Sequence, residues 1–155
     1  MVKNRMQYWI MKSEPDTYSI DDLKSFNIDH WDGIRNYQVR NFFRDTMQVG
    51  DQAFFYHSNC KEPGIVGLME IASEAYPDHT AFIKGEKYFD AKSDPDQPRW
   101  LMIDVKYQRH LKRKITLGDL RNQKTLESMR LLQRGNRLSV IPLEKKEWNY
   151  ILGME

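Results

Sequence analysis

Three groups of residues combine types and spacings that could do chemistry. The stretch Trp31-Asp-Gly-Ile-Arg-Asn-Tyr-Gln-Val-Arg-Asn-Phe-Phe-Arg44 interleaves aromatic rings with Arg35, Arg40 and Arg44, and has no acid between Asp32 and Asp45. A guanidinium can grip a phosphate through two parallel hydrogen bonds, and an aromatic face can stack a base. A helix beginning near Asn36 would add free N–H groups that favour an anion. An amphipathic helix with Phe42 and Phe43 in the core and arginines in water accounts for the same pattern. The second group sits at the ends of two apolar runs. Tyr56-His57-Ser58-Asn59 follows Phe54-Phe55, and Lys12-Ser13-Glu14 follows Trp9-Ile10-Met11. An apolar strand that delivers a polar cluster is how a pocket gains a few placed hydrogen bonds, so two such strands could share one rim. The third group, Lys106-Tyr-Gln-Arg-His-Leu-Lys-Arg-Lys114, has five Lys/Arg and no acid. It could bind phosphates with salt-dependent affinity, or be a solvated strand end and loop.

Enzymatic motifs are sparse. Neither a phosphate-binding GxxxxGK[ST] loop nor a GxGxxG turn is present. His30, His57, His79 and His110 show no i, i+4 pairing and no HExxH, so no metal and no cofactor are expected. Cys60 with His57 invites a thiol–imidazole dyad, but residues three apart on a strand point to opposite faces, and no third group to orient the imidazole is evident.

These groups are carried by a chain of 155 residues with 40% hydrophobic and 12% aromatic residues, enough for a real core and too aromatic for disorder. One domain spanning residues 1–155 is expected. The net charge of +2 conceals an asymmetry: residues 106–137 hold 10 Lys/Arg against 2 Asp/Glu. Such a block is a mild pointer to a polyanion. Cys60 is the single cysteine, which excludes an internal disulfide and fits a reducing compartment, cytoplasmic or, in a eukaryote, nuclear. No apolar stretch is long enough to span a membrane, and Met1-Val-Lys-Asn-Arg5 lacks the apolar segment of an export signal.

The elements that must position the candidates follow from periodicity and punctuation. Strands are expected at Gln7–Lys12, Gln52–His57, Ile65–Ala75 (with Gly67 at a bulge), Arg99–Gln108 and Leu138–Leu143. Helices are expected from Ser19 as N-cap, over Asn36–Met47, from Thr116, over Leu126–Arg134 with Gly135 just past its end, and over Glu144–Leu152. Residues 76–98 read as loop with at most a short strand. About five strands interrupted by short helices predict an α+β fold around a small curved or closed sheet.

Seven blocks in order resemble the EVE domain family: Tyr8-Trp-Ile-Met-Lys-Ser-Glu-Pro-Asp16, Trp31 to Asn41, Gly50-Asp, Phe55-Tyr-His-Ser-Asn-Cys60, Pro63-Gly-Ile-Val-Gly67, Pro98-Arg-Trp100 and Arg137-Leu-Ser-Val140. The resemblance runs from Tyr8 to Ile151. It implies a PUA-like fold, a small curved or closed β-barrel with flanking short helices, related to PUA and YTH domains. It also implies a non-catalytic reader of modified bases in DNA or RNA that holds a flipped base in an aromatic and polar pocket. A monomer is expected. Carried over by position, the base pocket is Lys12, Ser13, Trp31, Asn36, Tyr37, Tyr56, His57, Ser58, Trp100 and Ser139, with Trp31 as the stacking wall. The phosphate contacts are Arg35, Arg40 and Asn41, with the basic Lys112 and Arg113 alongside. On this reading Trp31→Ala removes the preference for a modified base and leaves the fold intact. The competing reading is a small-molecule or nucleoside-binding protein, or an enzyme using His57 or Cys60.

Overall fold

The computed structural model describes residues 6–155; Met1–Arg5, the segment weighed as an export signal, lies outside the described residues. Strand β1 (Tyr8–Ser13) lies parallel to β3 (Gln52–His57), with Ser13 opposite His57. Both strands are apolar along nearly their whole length because both of their faces are covered. Trp9, Met11 and Phe55 enter one buried cluster. Ile10, Phe54 and Tyr56 enter the other, where α3 (Leu117–Arg121) and α4 (Lys145–Leu152) contribute Leu120, Trp148 and Ile151.

The remaining strands are β2 (Ile28–Trp31), β4 (Gly64–Ile71), β5 (Tyr76–Pro77), β6 (Leu101–Thr116) and β7 (Val140–Leu143). Hydrogen bonding runs in the order β2-β6-β4-β3-β1-β7, with β5 paired to β6. The fold is therefore mixed α+β as expected. Its end strands β2 and β7 do not pair, so the sheet is not closed. Gly67 stands at a register shift between β4 and β6. A Cβ there would lie 2.8 Å from the Arg109 carbonyl oxygen and from Ile20 Cδ1, so the bulge and the close packing both require glycine.

Local signals explain most helix starts. Ser19 and Asp22 form a reciprocal capping box that opens α1 (Ile20–Phe26), and Thr116 and Asp119 do the same for α3. Asn36 caps α2 (Tyr37–Asn41) by accepting the Val39 N–H, and a π turn over Phe42–Thr46 completes the expected helix.

Three expectations need correction. β2 forms where the sequence pattern predicts no strand. β6 runs on to Thr116, because Leu111 and Ile115 anchor the basic stretch in the core while its charges stay wet. Leu126–Arg134 is not one helix but two 3-10 turns, Lys124–Leu126 and Arg130–Leu132. Leu126, Met129 and Leu131 are all buried, and residues spaced three and then two apart cannot share one α-helical face. No helix among the described residues is long and apolar enough to cross a membrane.

Candidate nucleic-acid interface

The parallel pairing of β1 and β3 brings their polar ends to one rim, where the Ser58 N–H donates to the Ser13 carbonyl at 2.9 Å. The entry to β7 is fixed beside them, because the Lys12 N–H donates to the Ser139 carbonyl at 2.8 Å. A cavity of about 570 Å³ opens there, lined from one side by Lys12, Ser13 and Ser58, and from the others by β2 with the turn after it and by Arg137–Ser139. One end strand, β2, and the segment that leads into the other, β7, thus contribute to one hollow, and its volume suits a small organic group.

Five of the ten sequence-derived pocket residues line this cavity: Lys12, Ser13, Trp31, Ser58 and Ser139. Trp31 is nearly buried and meets Phe55 edge-on at 5.4 Å, so it belongs to the core as well as to the cavity wall. The other five lie elsewhere. The Asn36 side chain is taken up by its helix cap. Tyr37 packs its exposed ring on Trp100, with centroids 4.8 Å apart. Trp100 is buried and donates its indole N–H to Asp90 at 2.7 Å. Tyr56 is in the second core cluster, and burial pushes its hydroxyl up to about 12. His57 accepts the Ile20 N–H on Nε2 at 3.1 Å, which leaves the ring proton on Nδ1. Burial first, then the nearby Lys114 charge, hold its pKa below the usual imidazole value. His57 and Cys60 do share a shallow depression. The imidazole nitrogen on Nε2 is already engaged, however, and among the described residues no hydrogen bond joins the two side chains.

The expected phosphate contacts are largely turned to internal work. Arg35 donates to the Tyr88 carbonyl, the Ile34 carbonyl and the buried Asp78. Arg40 lies over the Tyr37 ring at 5.0 Å and donates to the Arg99 carbonyl and the Asn41 side chain. The basic β6 stretch is flanked by acids from other elements. Glu155 pairs with Arg109 and accepts the Lys112 N–H, Asp119 pairs with Arg113, and Glu62 with Lys114. The Lys112 and Arg113 side chains remain exposed, but neither lines the cavity.

Two other cations do reach it. Among the described residues, neither the Lys12 ammonium nor the exposed Arg137 guanidinium has a hydrogen-bond or ion-pair partner, and both line the cavity. Lys12 is half-buried, with its ammonium 5.9 Å above the Tyr56 ring, and burial lowers its pKa. Among the lining residues that sequence reasoning did not assign to the pocket are Tyr18, Asp29, Asp32, Tyr88 and Arg137. Arg137 opens the family-like block Arg137-Leu-Ser-Val140, which is the signal that could have found it. Tyr18 donates its hydroxyl to Asp29 at 2.6 Å, and burial and that carboxylate raise its pKa. Tyr88 is held by its neighbour in space, Gly33.

Gly33 has φ +78°, and a Cβ on it would lie 2.5 Å from the Tyr88 ring. Gly33→Ala should therefore turn Tyr88 away from the cavity, at a backbone penalty of roughly 1 kcal/mol. Oligonucleotide titration and urea unfolding of the variant check this: binding should weaken more than stability falls, and unaltered binding would remove Tyr88 from the cavity's working surface.

The chain matches the EVE domain family over residues 7–154 and belongs to that family. It is 48% identical over 172 residues to thymocyte nuclear protein 1 of Mus musculus, covering 99% of this chain and 75% of the relative. A crystal structure of human THYN1 protein in complex with 5-methylcytosine containing DNA superposes with a TM-score of 0.90 at 44% identity, covering 96% of each chain. A crystal structure of a Pseudomonas syringae protein does so with a TM-score of 0.91 at 47% identity, covering 95% of this chain and 98% of that one. None of these relatives bears an enzyme's name.

Proposed function

We propose that this chain is a non-catalytic nucleic-acid-binding protein that draws one modified base, 5-methylcytosine in the first instance, into the cavity between β1, β2 and the segment that leads into β7. The observation that carries the reading is the cavity's composition. The Trp31 and Tyr88 side chains, the serines at positions 13, 58 and 139, and two cations without a hydrogen-bond or ion-pair partner among the described residues line one hollow of about 570 Å³. A flipped base needs stacking surface and a few hydrogen bonds, and its phosphates need cations. The human relative with 5-methylcytosine containing DNA supports the same reading. In it Trp31 gives the stacking surface, Ser58 and the backbone near Lys12 and Ser13 read base edges, and Lys12 and Arg137 take the phosphate role first assigned to Arg35, Arg40 and Asn41. We read the fold as PUA-like, a small barrel left open beside the pocket, which β2 and the entry to β7 border. The place of action is then wherever the nucleic acid is, the cytoplasm of a bacterium or the nucleus of a eukaryote.

Fluorescence anisotropy with oligonucleotides that differ in a single cytosine or 5-methylcytosine tests this. One buried methyl is worth about 0.8 kcal/mol, or roughly fourfold in affinity. A preference of that order, with affinity falling as salt rises, is the expected result. Equal affinity for both oligonucleotides overturns the reading.

A further inference from the structure

Three carboxylates line the cavity, Glu14, Asp29 and Asp32, and two of them are already engaged. Asp29 accepts the Tyr18 hydroxyl at 2.6 Å and the His30 N–H at 2.8 Å. Glu14 accepts the side-chain amide of Asn59. Asp32 differs from both. Among the described residues no neighbour donates a hydrogen bond to its carboxylate, and its ion-pair contact, His30 Nε2, is 3.7 Å away. Its side chain is nonetheless only 30% exposed. A carboxylate largely withdrawn from water whose hydrogen-bond donor is its own backbone N–H keeps acceptor capacity that an incoming N–H would fill. Burial and the charge on Asp78 raise its proton affinity, while His30 and its own N–H only partly counter them. Asp32 also directly follows Trp31, the residue assigned to stacking, and both line the same hollow.

We infer that Asp32 selects the base: its carboxylate accepts the exocyclic N–H of an amine-bearing base, so that the cavity takes 5-methylcytosine and rejects thymine. The inference rests on the base-reading function proposed above. An ionised carboxylate is an acceptor only. Cytosine presents the N4 amine as a donor, whereas thymine presents the O4 acceptor at the same position. Thymine in the cavity would set two acceptors against each other and leave both unpaired. The two bases share the C5 methyl group, so contacts to the methyl cannot separate them. A device other than the aromatic wall must do so, and among the lining carboxylates Asp32 is the one left available.

The test uses oligonucleotides carrying 5-methylcytosine or thymine opposite an abasic site, so that neither base has a pairing partner to leave. Affinities are read as the ratio between the two bases, which cancels the change in overall attraction when a negative charge is removed. The wild-type protein should favour 5-methylcytosine by about tenfold or more, the scale of a charge-assisted hydrogen bond. Asp32→Asn, whose amide can either accept from N4 or donate to O4, should bring the ratio within about threefold of unity. Asp32→Ser, which removes the carboxylate altogether, should do likewise and serves as a second variant should the first fold poorly. Variants that keep the wild-type ratio, or a wild-type ratio near unity, overturn the inference while a preference for 5-methylcytosine over cytosine still stands. Loss of that preference in the wild-type protein instead overturns the base-reading function, and the inference with it.

Discussion

Arg35→Ala should lower stability by about 3–5 kcal/mol, the scale of leaving one partner of a buried ion pair alone. Asp78 is fully buried, and Arg35 stands 3.1 Å from it with less than a quarter of its own side chain exposed. The guanidinium also donates twice to the Tyr88 carbonyl, at 3.1 and 2.6 Å, and once to the Ile34 carbonyl at 2.8 Å. It lies 5.6 Å from both the Tyr88 and Trp100 rings. Truncation removes all of this at once and releases the 78–90 segment that presents Tyr88 to the cavity. Burial alone would raise the Asp78 pKa, but hydrogen bonds from Thr80, Gly33 and Arg35 hold it below the ordinary carboxylate value of 3.8. A depressed pKa means that the folded state binds the proton less readily than the unfolded chain. The stability it contributes is present above pH 3.8 and is lost as pH falls through the folded-state value. Urea unfolding across that acid range should show a steep loss in the wild-type protein and a shallower one in Arg35→Ala. Arg35→Lys keeps the charge without the planar fork and should fall between them. A variant within 1 kcal/mol of wild type, by the scale of an exposed pair, would show that Arg35 is a surface residue.

The same arginine shows where sequence reasoning reaches and where it stops. Polar residues at the ends of two apolar strands were legible, and so was the idea that the two ends share a rim. The parallel register of Ser13 with His57 then follows from how β1 and β3 pair. The direction of each side chain was not legible. Arg35 and Arg40 have the types and spacing of phosphate contacts, yet their partners are Asp78, Tyr88 and Arg99, between 43 and 59 residues away in the chain. β2 escaped notice for a similar reason. Only Trp31 of its four residues is buried, so no alternation marks it as a strand, and pairing with β6 rather than its own pattern makes it one. Tyr88 is placed by Gly33, more than fifty positions earlier, and no local pattern records that contact.

Trp31→Ala is the second large effect, and the structure changes what it is expected to do. On sequence grounds the substitution removes a stacking surface and spares the fold. In the structure Trp31 is only 8% exposed, sits opposite Ile103 in β2, and packs on Phe55 within the cluster that holds Trp9, Met11 and Phe43. Emptying such a site costs about 3–5 kcal/mol, against a total stability of about 5–15 kcal/mol for a domain. The variant should therefore unfold at markedly lower urea concentration, and its loss of binding would mix two causes. Trp31→Phe separates them. It keeps most of the buried volume while shrinking the ring offered to the cavity, so stability should fall by less than half as much as in Trp31→Ala. If Trp31 is the stacking wall, the ratio of 5-methylcytosine to cytosine affinity should drop in Trp31→Phe even though the fold is retained. An undiminished ratio would leave Trp31 as a core residue and transfer the stacking role to Tyr88, the other aromatic ring that the Gly33 turn holds at the cavity.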